Sequence, residues 1–475
     1  MTTAAPAEAP GKSPHQAPIA PPTSQAGSLA PTTRCDWIDQ LRGWAVLVMI
    51  EVHGVNGWLV PADVPPRLNF VNGLVAPSFL LCAGFSLVLS TFDGKGGVRP
   101  LGHTLRRLGF ILLCAYLLHA PGLTLVDWTF LGTHRKYRGL FQIDVLQCVV
   151  YSLLILHGLA RLLRTPTRLG IAALSIVAGT LAVSSTAWAS GIAASLPLPI
   201  RGMVTGLPIY DVASLFPILP WLTFPALGTA LGCLYWHGRV RVRPAAGDGS
   251  GAGLATMSET TWLLCLMAAA LPAILWGRAA ADGWLAARGY RVDLLGALHN
   301  TTLPSFCERA GWVCMLGALL GWISARGIRS TTLATVSSES LLVYLFHLTL
   351  IYGVLQAGPL VRATGAVPQT QGWGMTALLT AIVMAVSVGV GVLWARVRKD
   401  PPLASRWRRR GATVFLLYFA LSGWGAVYKY ARHPELAEKP YYMLPWARAH
   451  KGLPATADGL PTPDEHARAK AQRSK

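Results

Sequence analysis

The chain has 475 residues, of which 52% are hydrophobic and 13% charged, and its mean hydropathy is +0.43. This composition excludes an ordinary soluble globule, in which about 25% of residues are charged, and it excludes disorder along the whole chain. The net charge of +20 would indicate nucleic-acid binding in a soluble protein. In a membrane protein, Lys and Arg residues that anchor cytoplasmic loops produce the same excess.

Apolar segments of about 20 residues, the length of a helix that crosses the hydrocarbon layer, recur along the chain. They predict an all-α, polytopic integral membrane protein with about eleven transmembrane helices. Glu308 and Arg309 make the eighth span the weakest, because charges are costly in hydrocarbon. The predicted spans cover residues 41–60, 69–92, 104–126, 140–163, 168–190, 213–237, 260–281, 303–325, 331–357, 373–396 and 411–430.

The distribution of Lys and Arg predicts the orientation of these spans. With a cytoplasmic N-terminus, the inner segments hold 22 of these residues and the outer loops hold nine. The positive-inside rule therefore predicts an N-terminus inside and a C-terminus outside the plasma or inner membrane. Because the basic residues are spread over many loops, nucleic acid is not an expected partner.

Three regions are predicted from the composition of the termini and the position of the spans. Residues 1–33 are rich in Ala, Pro, Thr and Ser and predict a disordered tail rather than a signal peptide. Residues 34–432 hold all the predicted spans, and residues 433–475 form a C-terminal tail outside the membrane.

The first span carries Arg42 and His53 eleven residues apart, which is three helical turns with an offset of about 20°. The two side chains therefore share a helix face, with Arg42 at the cytoplasmic boundary and His53 about 16 Å deeper. Asp39 is expected to pair with Arg42, and Asn56 to continue this face and orient the imidazole. A titratable ring in mid-membrane indicates a functional site, although a packing histidine is an equally good interpretation.

The ninth span carries Ser340, Tyr344 and His347 at spacings that place them on one helix face. His347 is also expected near mid-membrane, where two histidines would line one site. A seam of hydrogen bonds between helices explains the pattern as well as a functional site does.

Polar residues at the mouths of other spans are further candidates. Asp144 and Gln147 share a face at the outer end of the fourth span, where Asp144 acts either as a cap or as a substrate contact. Arg106 and Arg107, at the cytoplasmic mouth of the third span, either bind phosphate groups or anchor the span.

Several reaction classes lack sequence support. The chain contains no GxxxxGK[ST], HExxH or GxSxG motif and no GxGxxG followed by an acidic residue. Seven of the eight cysteines lie inside the predicted spans without CxxC spacing, so no metal site is expected.

Four short sequence elements occur in the same order as the conserved elements of a known superfamily. They are Asp39-Gln-Leu-Arg42-Gly43, the segment 75–86, Asp144-Val-Leu-Gln147 and Leu342-Val-Tyr344-Leu-Phe-His347. Together they resemble the transmembrane acyltransferase superfamily, which includes the heparan-alpha-glucosaminide N-acetyltransferase-like and the acyltransferase type 3 proteins. The first element is similar to the D-x-L-R-G opening of the first core helix. The others are similar to the second helix, the VLQ element and the late Y-x-x-H helix.

The resemblance departs from the heparan enzyme at one point. That enzyme has an asparagine at the place of His53 and its active-site histidine lies beyond the first core helix, whereas this chain has no histidine between residues 54 and 98. His53 instead resembles the helix histidine of the type 3 proteins, so a heparan acceptor is not carried over.

The resemblance implies transfer of an acyl group, usually acetyl, from cytoplasmic acyl-CoA to a hydroxyl or amine of an extracytoplasmic or membrane-associated glycan. It assigns catalysis to His53, with His347 and Tyr344 in support, and donor binding to Arg42, Arg106 and Arg107. The expected contacts of the glycan or lipid-linked acceptor are Asn56, Asp144 and Gln147.

Two other hypotheses remain open from the sequence. One is a proton-coupled transporter of a glycan or small amphiphile, in which the two histidines carry protons. The other is a scaffold without catalytic activity in the assembly of the cell envelope.

Overall fold

The computed structural model describes residues 35–93, 97–120, 122, 124–129, 139–206, 214–240, 257–287, 298–356, 358–422 and 424. The predicted tails, residues 1–33 and 433–475, lie outside these ranges. Within them the chain is helical and forms no β-strand. The α-helices are α1 (Asp36–Trp58), α2 (Pro66–Asn72), α3 (Val75–Thr91), α4 (Gly102–Leu118), α5 (Leu125–Thr129), α6 (Val145–Leu163), α7 (Pro166–Ala189), α8 (Ile192–Ser195), α9 (Leu198–Val204), α10 (Ile218–Trp221), α11 (Thr223–Tyr235), α12 (Glu259–Ala286), α13 (Leu303–Ala325), α14 (Thr331–Ser338), α15 (Ser340–Leu348), α16 (Gly358–Thr364), α17 (Trp373–Val397) and α18 (Pro401–Leu421).

Among the described residues, five other short segments are wound more tightly or more loosely than an α-helix. Three are 3₁₀-helical and two are π-helical. They are Pro61–Asp63, Gly139–Phe141 and His299–Thr301 in the first group, and Trp236–Val240 and Thr349–Leu355 in the second.

Seven helical segments of the described residues are long and apolar enough to cross a membrane, and the bent pair α14 and Ser340–Leu355 would make an eighth. The chain is therefore an all-helical integral membrane protein. The predicted eighth span coincides with α13, despite its internal Glu308 and Arg309. The seven segments are Pro66–Thr91, Val145–Leu163, Pro166–Ala189, Ile218–Gly238, Glu259–Ala281, Leu303–Ala325 and Trp373–Val397.

The count of eleven is not confirmed for the first, third and last predicted spans. Helix α1 contains four charged residues, among them Arg42 and Glu51. Helix α4 ends at Leu118, eight residues before the predicted end of its span, and its 17 residues measure only about 26 Å. The last predicted span, 411–430, coincides only in part with α18, whose first half contains four arginines.

The predicted ninth span is not one continuous helix. It breaks at Glu339, whose backbone departs from helical geometry, and its two parts are bent by 79°. The bend turns α15 so that Val343, Tyr344 and His347 are buried.

Helix α1 is the centre of the packing. It lies against α3, α13, α14, α15 and α17, and its tryptophans Trp37 and Trp58 are fully buried. Because α1 touches both α3 and α15, residues that are distant in the chain meet along its length.

The α3–α11 contact depends on two glycines. A Cβ at Gly84 would collide with the Pro225 carbonyl group, and one at Gly228 would collide with the Leu81 carbonyl group. Small residues at such crossings let helix backbones approach closely in membranes. This contact holds α3 in place as one wall of the site described below.

Candidate functional site

The two predicted histidines meet at the contact between α1 and α15. The ring centroids of His53 and His347 lie 5.2 Å apart, with their planes inclined by 48°. Tyr344, one helical turn before His347, places its ring centroid 5.7 Å from that of His347. The site therefore brings together residues from the first and the bent helical segments.

The imidazole of His347 is anchored by its own helix. Its Nδ1 lies 2.8 Å from the carbonyl oxygen of Val343, and a carbonyl only accepts hydrogen bonds, so Nδ1 is the donor. In the neutral ring this leaves the lone pair on Nε2. His347 is fully buried, and its Nε2 has no hydrogen-bond partner in the described part of the chain. His347 is therefore a base whose tautomer is fixed and whose Nε2 lone pair is free.

His53 has a different partner. Its Nδ1 lies 3.2 Å from the hydroxyl of Tyr352, in the π-helical segment Thr349–Leu355. Because a hydroxyl can donate or accept, this contact orients the ring and allows either tautomer. His53 is only half-buried, and Tyr352 is 43% exposed. The His53 side of the histidine pair is therefore partly accessible from outside the protein.

Asn56 does not orient His53 as predicted. Its side chain is exposed, and its carbonyl oxygen accepts a hydrogen bond from Gln369. The orienting hydroxyl comes instead from Tyr352, nearly 300 residues away in the chain. Spacing along one helix does not reveal a partner that a distant segment supplies.

A cavity of about 570 Å³ lies beside the histidine pair, between α1, α3, α4, α6 and α15. Helix α6 lines it from Val145, in its first turn, to His157, a distance of about 18 Å along the helix. The polar lining residues are Arg42, Ser86, Ser90, His103, Thr104, Arg107, His157, Ser340 and Tyr344, and the remaining lining residues are apolar.

Two of the three arginines predicted to bind the donor line this cavity. Arg42 donates a 2.8 Å hydrogen bond to Ser86, and its guanidinium lies 3.8 Å from Asp39, which confirms the predicted pair. Arg107 lines the cavity, and Arg106, its neighbour, does not. His103 and His157 also line the cavity and were not predicted, because neither belongs to a motif.

Tyr344 separates the cavity from the histidines. It belongs to the cavity lining and its ring packs against His347. His53 and His347 themselves are not among the lining residues. The cavity therefore extends to Tyr344, and the histidine pair lies behind it.

Asp144 and Gln147 form a capping box at the start of α6. The Asp144 carboxylate accepts from the Val145 amide at 2.7 Å, and the Gln147 side-chain oxygen accepts from the Asp144 amide at 3.2 Å. The cap interpretation of Asp144 is thus confirmed. Its carboxylate also lies 3.8 Å from His119 Nε2 and within electrostatic range of the Tyr344 and Tyr352 hydroxyls.

In the part of the chain that the structure describes, no group of three or more His, Cys, Asp and Glu side chains is arranged to hold a metal ion. The histidine pair and the cavity beside it offer imidazole, hydroxyl and guanidinium groups.

Residues 34–268 match the family model described as heparan-alpha-glucosaminide N-acetyltransferase, catalytic. The chain belongs to the heparan-alpha-glucosaminide N-acetyltransferase-like superfamily. A search of curated proteins gave no match. The matched segment is about half of the chain and includes Arg42, His53 and Arg107, whereas Tyr344 and His347 lie beyond its end.

Membership in this acetyltransferase superfamily agrees with the residues that surround the cavity. Enzymes of this superfamily in general use acetyl-CoA as the acyl donor. Helices α1, α3, α4 and α6, which form four of the five cavity walls, lie inside the matched segment. Helix α15 adds the fifth wall from outside that segment.

Proposed function

We propose that this protein transfers an acyl group, most simply acetyl, from cytoplasmic acyl-CoA to a hydroxyl or amine of an extracytoplasmic or membrane-associated glycan. One observation carries the proposal: an amphipathic cavity runs from Arg42 and Arg107 to Tyr344, and Tyr344 packs against the histidine pair.

The donor suits the charged and apolar residues that line the cavity. Acyl-CoA has anionic phosphate groups at one end, a long pantetheine arm and the thioester at the other end. Arg42 and Arg107 would bind the phosphates by charge-assisted hydrogen bonds, with Arg106 as an outer contact. The apolar walls would take the arm, and the thioester would then reach Tyr344. In the N-inside orientation, the arginines face the cytoplasm, where acyl-CoA is found.

The acceptor is proposed to approach from the other side of the histidine pair. His53 is half-buried beside the exposed Tyr352, and neither residue lines the donor cavity. Asn56, exposed one turn beyond His53, and Asp144 and Gln147 are proposed acceptor contacts. Donor and acceptor would thus approach the histidine pair from opposite sides, with the Tyr344 ring between the donor cavity and His347.

The reaction needs a base between these two substrates. An imidazole nitrogen of His53 removes the acceptor proton as the acceptor oxygen or nitrogen attacks the thioester carbon. The carbon–sulfur bond breaks, and the CoA thiolate takes up the proton. In the second route His53 carries the acyl group, and the acceptor then attacks acyl-histidine. His347, with its fixed Nε2 lone pair, supports either route from the donor side.

The direct test is acyl transfer from labelled acetyl-CoA in membranes that contain equal amounts of wild type, His53→Ala or His347→Ala. We expect both variants to lose at least about 100-fold in rate, the usual contribution of general acid–base catalysis. Full activity of His53→Ala would remove His53 from the mechanism. Loss in His347→Ala alone would assign the base to His347.

A further inference from the structure

A buried ion pair lies at the break between α14 and α15. Glu339 has only 5% of its side chain exposed, and its Oε1 lies 2.7 Å from Nη2 of Arg398, at the C-terminal end of α17. The Arg398 side chain is 56% exposed. One edge of this guanidinium is therefore paired, and much of its remaining surface is open.

This ion pair lies beside the arginine end of the cavity. Ser340 and Leu341, the residues directly after Glu339, line the cavity. Arg107 also lines it and lies within electrostatic range of both Arg42 and Arg398. Arg42 and Arg107 thus line the cavity together, and Arg398 lies outside the lining but within electrostatic range of Arg107.

The acidic groups near these arginines do not balance them. Asp39 lies beside Arg42 and Glu339 pairs with Arg398. Arg107 has no ion-pair partner within the described ranges. Like charges that gather without neutralisation repel one another, so the arrangement is stabilised when an anion is bound.

On the basis of the proposed function, we propose that Arg398 is a third donor-binding arginine and binds the 3′-phosphate of acyl-CoA. A phosphate monoester has a charge of about −1.5 to −2 at neutral pH and three strong acceptor oxygens, which the guanidinium fork matches. Glu339 holds Arg398 at the cavity mouth and competes with the phosphate for it.

This competition predicts opposite effects for the two partners of the ion pair. Arg398→Gln removes a phosphate contact, so it weakens binding of CoA but not of 3′-dephospho-CoA. Glu339→Gln removes the competing carboxylate and frees Arg398 for the phosphate, so it strengthens binding of CoA alone. A purely structural ion pair would give changes of the same sign for both variants and both ligands.

The experiment measures dissociation constants of CoA and 3′-dephospho-CoA on the detergent-purified full-length protein. The preference for CoA is the dissociation constant of 3′-dephospho-CoA divided by that of CoA. We expect Arg398→Gln to lower this ratio about tenfold, as the loss of a charge-assisted contact does. Glu339→Gln should raise the preference about threefold. Arg396→Gln, the matched control on the same helix, should leave it unchanged.

Arg398→Gln leaves the buried Glu339 carboxylate without its ion-pair partner and could therefore misfold. The double variant Glu339→Gln/Arg398→Gln avoids this problem, because it also removes the carboxylate. We expect it to show the same low preference as Arg398→Gln. Wild-type preference in both variants that lack Arg398 would overturn the assignment. If the wild type binds neither ligand, the proposed function fails; if it binds both and the substitutions change nothing, only the role of Arg398 fails.

A lipid headgroup is the other phosphate that Arg398 could bind. The same measurements are therefore repeated with phosphatidylglycerol added to the micelles. A CoA preference that persists supports the 3′-phosphate as the ligand of Arg398. A preference that disappears with this lipid would assign the arginines to lipid headgroups and overturn the proposal.

Discussion

His53 and His347 are 294 residues apart in the chain, yet their ring centroids lie 5.2 Å apart. The two rings are held differently: His347 by a main-chain carbonyl of its own helix and His53 by the hydroxyl of Tyr352. Because the anchors differ, a substitution can loosen the His53 ring without affecting that of His347.

Tyr352→Phe is expected to lower kcat about tenfold and to leave the KM for acetyl-CoA unchanged. The substitution removes the hydrogen bond between Tyr352 and His53 that orients the imidazole, but it does not touch the cavity. Steady-state kinetics at several pH values measure the effect, since the pH profile should also change if the hydroxyl acts on His53.

The matched control for this prediction is Tyr116→Phe. It removes the 2.6 Å hydrogen bond between the Tyr116 and Tyr151 hydroxyls and should change neither constant. Equal losses in both variants would mean that Tyr352 has only a structural role.

Tyr344 is expected to act through its ring. Tyr344→Phe keeps the ring between the cavity and His347 and should retain activity within about threefold, because no hydrogen bond of its hydroxyl is evident in the described residues. Tyr344→Ala joins the cavity to the histidine pair and should let water reach the thioester. The measurement is acetyl-CoA hydrolysis in the absence of an acceptor, which should rise in the alanine variant and stay at the wild-type level in the phenylalanine variant. Equal hydrolysis in all three proteins would show that Tyr344 does not separate the two spaces.

Asp144 has a capping role that substitutions can separate from a role in acceptor binding. Asp144→Asn keeps an oxygen for the Val145 amide, so its stability should stay close to that of the wild type. Asp144→Ala loses the cap and should cost about 1 kcal/mol. Thermal unfolding in detergent checks both values. A stable Asp144→Asn protein with an unchanged KM for the acceptor would limit Asp144 to the cap.

The α3–α11 crossing predicts a large difference between two glycine positions. Gly84→Val should destabilise the protein by about 3 kcal/mol or more, because its side chain would overlap the Pro225 carbonyl group. Gly158→Ala, on α6 with no neighbour within 4 Å, should be neutral or stabilising by up to about 1 kcal/mol. Detergent unfolding midpoints measure both. Similar midpoints for the two variants would contradict the close packing of α3 and α11.

Much of this site follows from local sequence patterns. The three-turn spacing of Arg42 and His53, the pairing of Arg42 with Asp39 and the shared face of Tyr344 and His347 are all properties of single helices. The capping box at Asp144 is equally local, because both of its residues lie in one helical turn. Such features can be predicted because helical geometry alone determines them.

Contacts between distant segments could not be predicted in this way. Tyr352 contacts His53 from the π-helical segment Thr349–Leu355, and no residue pattern predicts that winding. The bend at Glu339 was also missed, since the apolar run continues across it and the carboxylate is neutralised by Arg398, about 60 residues later. His157 lines the cavity only because α4 and α6 pack together.

The central claim, that the donor occupies the cavity between Arg107 and Tyr344, is tested most directly by filling that cavity. Ala83 lies in its lining, whereas Leu154 is 37% exposed on α6 and does not line it. Thermal unfolding of wild type, Ala83→Trp and Leu154→Trp would be compared with and without acetyl-CoA. At 100 times its dissociation constant, the donor should stabilise wild type and Leu154→Trp by about 2.7 kcal/mol and should not stabilise Ala83→Trp. Equal stabilisation of all three proteins, or none in the wild type, would contradict the account.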